Sequence, residues 1–146
     1  MTISLAKAET IADSVLRNGQ QRGTSPLTVA VLDPGGHLVA FKRQDGSGIL
    51  RPQIAFGKAW GALGMGKGSA GLEQMALERP TFFASLSVAA EGRLLFAAGG
   101  VLVKTNDGAV LGAVGVSGDT SDRDELCAVE AITAAGYQPD TGLPPH

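Results

Sequence analysis

The sequence predicts an α+β domain in which helices pack on one antiparallel sheet. Three observations carry this. Apolar, β-branched stretches come in pairs joined by short polar turns, Asp33-Pro34-Gly35-Gly36 and Asn106-Asp107-Gly108, whose residues suit tight-turn backbone. Segments with 3.6-residue apolar spacing lie before, between and after those pairs. The strands therefore come as hairpins rather than as parallel crossover units.

Taken in order, Ser4 to Asn18 reads as an amphipathic helix with Ala8, Ile11, Ala12 and Val15 on its apolar stripe and Gly19 as its stop. Gln20 to Pro26 is a polar connector. Leu27 to Asp33 is an apolar strand, and His37 to Arg43 returns beside it; alternation sets His37, Val39, Phe41 and Arg43 against Leu38, Ala40 and Lys42. A polar, Gly-rich loop spans Gln44 to Leu50. Pro52 suits the first turn of a second helix reaching about Leu63. Phe56, Trp60 and Leu63 form one stripe of that helix, and Gly57, Gly61 and Gly64 another. Glycine costs about 1 kcal/mol against alanine inside a helix, so three at helical spacing imply close packing or a flat ligand lying on that face.

Gly64 to Gly71 is a flexible loop, Leu72 to Glu78 a short helix stopped before Pro80, and Thr81 to Ala90 another helix. Leu94 to Phe96 reads as a strand, broken at Gly99-Gly100 and resumed from Val101 to Lys104. Val110 to Ser117 is its partner, with Gly112 and Gly115 marking bends or close backbone approach. Gly118-Asp119-Thr120 leads into the final helix, for which Ser121 is the expected cap and Asp124 the second half of a capping box. Gly136 ends it. Residues 1–137 are expected to form a single domain, and 138–146, with Pro139, Pro144 and Pro145, an extended or frayed tail.

Composition narrows the function. With 146 residues, 44% of them apolar, the chain can bury a sizeable core. A net charge of −2 argues against nucleic acid or an anionic membrane as the main partner. No apolar run is long enough to span a bilayer and no signal-peptide pattern opens the chain, which reads as cytoplasmic. The single cysteine, Cys127, excludes an internal disulfide and reads as a small buried apolar residue.

Few residues carry chemistry. Of the two histidines, His37 follows a turn at a sheet end and is the best axial ligand or general base, while His146 lies in the tail. Lys42, Arg43, Arg51 and Lys58 surround the loop before the second helix and suit a small carboxylate or propionate groups, or a solvated edge. Asp119, Asp122, Asp124 and Glu125 offer oxygen ligands for a hard cation, or are acids favoured by the start of a helix. Gly64-Met65-Gly66-Lys67-Gly68 lacks the spacing of a phosphate loop. No complete catalytic set is present, and enzyme activity stays open.

These residues carry a resemblance. Val31-Leu32-Asp33-Pro34-Gly35-Gly36-His37-Leu38-Val39-Ala40 resembles the "DAGGHLVA" segment of the GlcG/HbpS-like family, also called the haem-degrading or DUF336 family. IAFGKAWGA, residues 54–62, is similar to its "IAxxKAxxA" helix. Gly99-Gly100-Val101 and the stretch Gly112 to Gly118 match its "GGVPI…GAIGVSG", and Asp122 to Glu125 its "xxDE" ending. Leu102 stands where the family usually has proline. The resemblance covers about residues 3–136. It implies a profilin-like, five-stranded antiparallel sheet flanked by helices, and homo-oligomers; some members bind haem, and related domains are joined to cobalamin adenosyltransferases.

Three functions follow as expectations. In a haem or tetrapyrrole protein, His37 would be the axial ligand, Arg51 and Lys58 would meet propionates, and the Gly57/Gly61 face would admit the flat ring. In a catabolic enzyme or organic-acid-binding protein, the small-molecule pocket would lie between the second helix and the sheet, near Lys58, Asp119 and Glu125. In an oligomeric scaffold or regulator, the small-residue helices would pack subunits.

Overall fold

A computed structural model describes residues 1–145. In chain order they form α1 (Leu5–Arg22), β1 (Thr28–Leu32), β2 (Leu38–Arg43), α2 (Arg51–Met65), α3 (Ser69–Glu78), α4 (Pro80–Ala89), β3 (Gly100–Lys104), β4 (Val110–Ser117), α5 (Ser121–Ala134) and β5 (Gln138–Asp140). The strands make one antiparallel sheet in the order β2-β1-β4-β3-β5. The α+β class and the five-stranded antiparallel sheet flanked by helices are as expected.

Strand alternation sends side chains to two faces. Val101, Val103, Val114 and Val116 join Val29 and Val31 under α1 and α5, where Ile11, Val15 and Ile132 complete the main core. On the other face Leu32, Leu102 and Ala113 meet Ala59 and Ala62 of α2. There the sheet carries glycine. A Cβ at Gly115 would lie 1.9 Å from the Ala55 carbonyl oxygen, and one at Gly100 2.2 Å from that of Lys58. The backbone of α2 therefore rests directly on the backbone of β3 and β4.

Several elements differ from expectation, each for a local reason. Ser4 caps α1, its hydroxyl accepting from the Lys7 N–H at 3.1 Å. The helix passes through Gly19, because Leu27 and Thr24 need the space a side chain would take there, and ends at left-handed Gly23. The second helix likewise continues through Gly64 to Met65. The third starts at Ser69, three residues early, because Gly68 and Gly71 seat the backbone of 140–142. Leu94 to Phe96 is not a strand: this segment crosses α2, and Leu95 donates its N–H to the Gly57 carbonyl at 3.1 Å. Thr120, not Ser121, occupies the cap position of α5. Asp119 Oδ1 accepts from the Thr120 N–H, and Asp124 Oδ1 from the Asp119 N–H at 2.9 Å. In the tail, Gln138–Asp140 form β5, paired with β3, and the chain turns at Gly142. His146 lies outside the described residues.

Candidate functional site

Three places hold the chemistry expected from the sequence. The first lies under α2. Lys58 shares its helix face with Ala55 and Ala62, against the sheet, and is only 2% exposed. Its Nζ donates to the Val116 carbonyl at 2.8 Å and pairs with Asp124 Oδ2 at 3.3 Å. Asp124 is fully buried. Burial pushes the Lys58 ammonium below its ordinary value; Asp124 opposes this, and Arg51 adds repulsion. The pair bridges α2 and the start of α5 and is sealed by Gly99, where a Cβ would lie 2.9 Å from Nζ. Ser69 ties the same region together, donating to the Ala97 carbonyl at 2.6 Å and accepting from the Gly100 N–H at 2.7 Å. Arg51 donates to the Ser117 hydroxyl at 3.1 Å.

The second place is the β1–β2 turn. Asp33 Oδ1 accepts from the N–H groups of Gly35 and His37 at 2.9 and 3.0 Å. His37 Nδ1 lies 3.1 and 3.2 Å from the two Asp33 oxygens. The His37 N–H, and after it the ring, hold the Asp33 carboxyl below its ordinary range. With Nδ1–H donating, Nε2 is the open lone pair, and the side chain is 79% exposed. Partners directly opposite in neighbouring strands share a face. Leu38 faces Leu32 and Phe41 faces Ala30, both on the α2 side rather than on opposite faces as alternation predicts, because the register shifts between Val31 and Leu32; both Leu38 and Phe41 are exposed. Trp60 of α2 lies against Gly36, and Arg93 covers its ring at 4.5 Å.

The expected haem residues are thus spread apart. His37 follows Gly36, which lies against Trp60, while Arg51 begins α2, nine residues or about 14 Å from Trp60 along the helix. Lys58 is locked in its pair. The Gly57/Gly61 face is covered by the 93–95 segment, for a Cβ at Gly57 or Gly61 would come within 3.2 Å of Arg93 O or Leu94 Cβ.

The third place is a cavity of about 810 Å3 between α3, α5 and the segment around β5. It does not lie between α2 and the sheet, where glycine contact leaves no room. Asp122 and Glu125 face it, but Asp119 and Asp124 do not. Asp119 accepts from the Ser25 N–H at 2.7 Å and meets Arg123, and these bonds, the Ser25 one foremost, hold its carboxyl low. Among the described residues no group of three or more His, Cys, Asp or Glu is placed to hold a metal ion. Cys127 is buried, which pushes its thiol pKa up. No helix among the described residues is long and apolar enough to cross a membrane.

Sequence reasoning missed Asp33, Trp60, Arg93 and Ser69. A lysine on a stripe of alanines was a readable sign that Lys58 is buried; its partner 66 residues away was not.

Comparison with known proteins agrees with this architecture. A protein of Citrobacter freundii described as an uncharacterized 15.0 kDa protein in the dhaT-dhaS intergenic region is 30% identical over 131 residues, 90% of either chain. Protein GlcG of Escherichia coli K12 is 31% identical over 80% of this chain and 85% of its own. The PduOC:heme complex superposes with a TM-score of 0.84, covering 94% of this chain and 97% of that one; at 22% identity it speaks for the fold alone. Klebsiella pneumoniae ORFY gives 0.81 at 28% identity, with 92% of each chain covered. A double mutant of Streptomyces reticuli HbpS gives 0.80 at 26%, covering 93% of this chain and 88% of that one. The family described as haem degrading protein HbpS-like matches residues 3–133, and this chain belongs to that family.

Proposed function

We propose that this protein binds haem or a closely related tetrapyrrole, with His37 as axial ligand. The observation that carries this is the Asp33–His37 hydrogen bond. A carboxylate on one ring nitrogen fixes the tautomer, orients the ring and makes the other nitrogen a better metal ligand. Here it does so at an exposed ring at the start of β2, a strand that exposes the apolar side chains of Leu38 and Phe41 on its α2 side. Arg93, held over Trp60, which lies against Gly36, takes the place of Arg51 and Lys58 as the partner for a propionate in this reading. A relative of the same fold has been solved with haem. The iron would supply redox and ligand-binding chemistry; the chain supplies the nitrogen, an apolar surface and a cation.

Haemin titration followed by absorbance tests this. The expected result is a saturable Soret shift at one haem per chain, lost in His37→Ala, with affinity lowered at least about tenfold in Asp33→Asn. No saturable shift in the wild type overturns the reading, and an unchanged spectrum in His37→Ala removes His37 as ligand.

We also propose self-association through α4. That helix, PTFFASLSVA, carries no charge, buries only Phe83 and leaves Phe82 and Val88 exposed beside Leu77 of α3. A second copy presents the same apolar surface, with Arg79 lying over the Phe82 ring at its edge. Light scattering is expected to show a dimer or larger assembly that Val88→Glu dissociates; a wild-type monomer at micromolar concentration overturns this.

A further inference from the structure

The β1–β2 turn accounts for one of its two glycines and not for the other. Gly36 has φ +83°, a left-handed backbone that favours glycine. Gly35 has no positive φ, so its backbone admits alanine. A glycine at such a position leaves the unfolded chain more freedom and adds nothing to the turn.

The space of the missing Gly35 side chain is taken by the His37 imidazole. A Cβ there would lie 2.8 Å from His37 Cε1 and 2.9 Å from Nδ1, both too close, but 3.4 Å from Asp33 Oδ1, an ordinary contact. The ring thus lies against the Gly35 backbone while Nδ1 meets the two Asp33 oxygens at 3.1 and 3.2 Å. The turn has little room to retreat. Gly36 rests on the Trp60 indole, where a Cβ would stand 2.9 Å from Nε1. Arg93 covers that indole at 4.5 Å, its Nε donating to the Ala90 carbonyl at 3.0 Å. The imidazole, by contrast, is 79% exposed and free to swing. A side chain at position 35 would therefore displace the ring and leave the backbone where it is.

We propose that Gly35 is a positioning residue of the tetrapyrrole site. The space it leaves seats the His37 imidazole on Asp33, with Nε2 open before any ligand arrives. This rests on the haem reading above and extends it to ligand choice. A lone pair fixed in advance helps only a ligand that carries a metal. The site therefore selects metallated tetrapyrroles over the metal-free ring.

Gly35→Ala tests this in two arms. The first uses the ligand-free protein at about pH 8, where an ordinary histidine is neutral. Imidazole 15N shifts should show wild-type His37 in the Nδ1–H form, its signals told from those of His146 by their loss in His37→Ala. Gly35→Ala should lose that preference and keep the wild-type urea midpoint. In the second arm its haemin affinity should fall at least about tenfold, while the weaker binding of metal-free protoporphyrin stays unchanged. Added to Asp33→Asn, Gly35→Ala should cost haemin little more, since both act through one ring. A wild-type His37 in the Nε2–H form overturns the proposal, as does a Gly35→Ala protein with wild-type tautomer and haemin affinity. Equal losses for haemin and protoporphyrin overturn it too, and a urea midpoint well below the wild type's would assign the glycine to the turn instead. Failure of the wild type to bind haemin overturns the haem reading, and the ligand-free arm then still decides whether Gly35 seats the ring.

Discussion

The two faces of the sheet are held by different physics. Under α1 and α5 the sheet offers valines, and the helices answer with isoleucine, valine and alanine in an ordinary interdigitated core. Under α2 it offers Gly100 and Gly115, and helix carbonyls lie almost on strand backbone. Side-chain cores relax when one methyl is lost, whereas backbone seats have nothing that can move aside. The same close seat encloses the Lys58–Asp124 pair. The difference teaches that the smallest residues of this chain are its least replaceable.

That contrast can be broken experimentally. The largest effect is expected from Gly115→Ala. Its Cβ would stand 1.9 Å from the Ala55 oxygen, so α2 must lift, at a loss of at least about 3 kcal/mol in urea unfolding. A loss no larger than that of Ile132→Val would dissolve the distinction between the faces. Asp124→Ala is expected to cost a comparable amount, about 3–5 kcal/mol, because it strands a buried ammonium. Combining Lys58→Met with Asp124→Leu should recover most of this; a double variant as unstable as Asp124→Ala would show that the two are not coupled.

The pair also gives the α2 face a pH dependence. Burial lowers the Lys58 pKa in the folded state. Between that lowered value and the ordinary lysine pKa of about 10.4, the unfolded chain binds more protons, so stability rises with pH. The wild-type urea midpoint should therefore climb relative to Lys58→Met as pH rises towards that limit, and parallel curves would contradict it. On the other face, Ile132→Val removes one methyl from a fully buried side chain and should lose only about 1 kcal/mol. Smallest of all, Cys127 should stay unmodified by iodoacetamide in the folded protein and react in urea, since its thiol is buried and its pKa raised. Rapid native labelling would mean that α5 opens.

The same contrast explains what could be read in advance. Strand pattern and turn chemistry are local, so β1, β2, β4 and both hairpin turns were legible, and Val110 to Ser117 matches β4 residue for residue. Leu94 to Phe96 was not. Three apolar residues look alike whether they pair with a strand or lie on a helix, and only the distant Gly57 and Gly61 decide it. The glycine stripe did signal close packing, though not against which segment. For the site, His37 beside its turn was legible because Asp33 is four residues away. Lys58 and Asp124 meet across 66 residues, and the cavity needs α3, α5 and the segment around β5 at once. No periodicity encodes such meetings.

The strand order has a kinetic corollary. β1–β2 and β3–β4 are local hairpins and can zip on microsecond timescales. The sheet closes only when β1 docks on β4, pairing Thr28 with Ser117 across about 90 residues of chain, a search that slows folding. The glycine seat for α2 lies within the β3–β4 hairpin, but the apolar cluster around it also takes Leu32 of β1 and is complete only after that docking. We therefore expect φ-values to be high in β1 and β4 and low along the inner face of α2, which would lock into place after the barrier has been crossed.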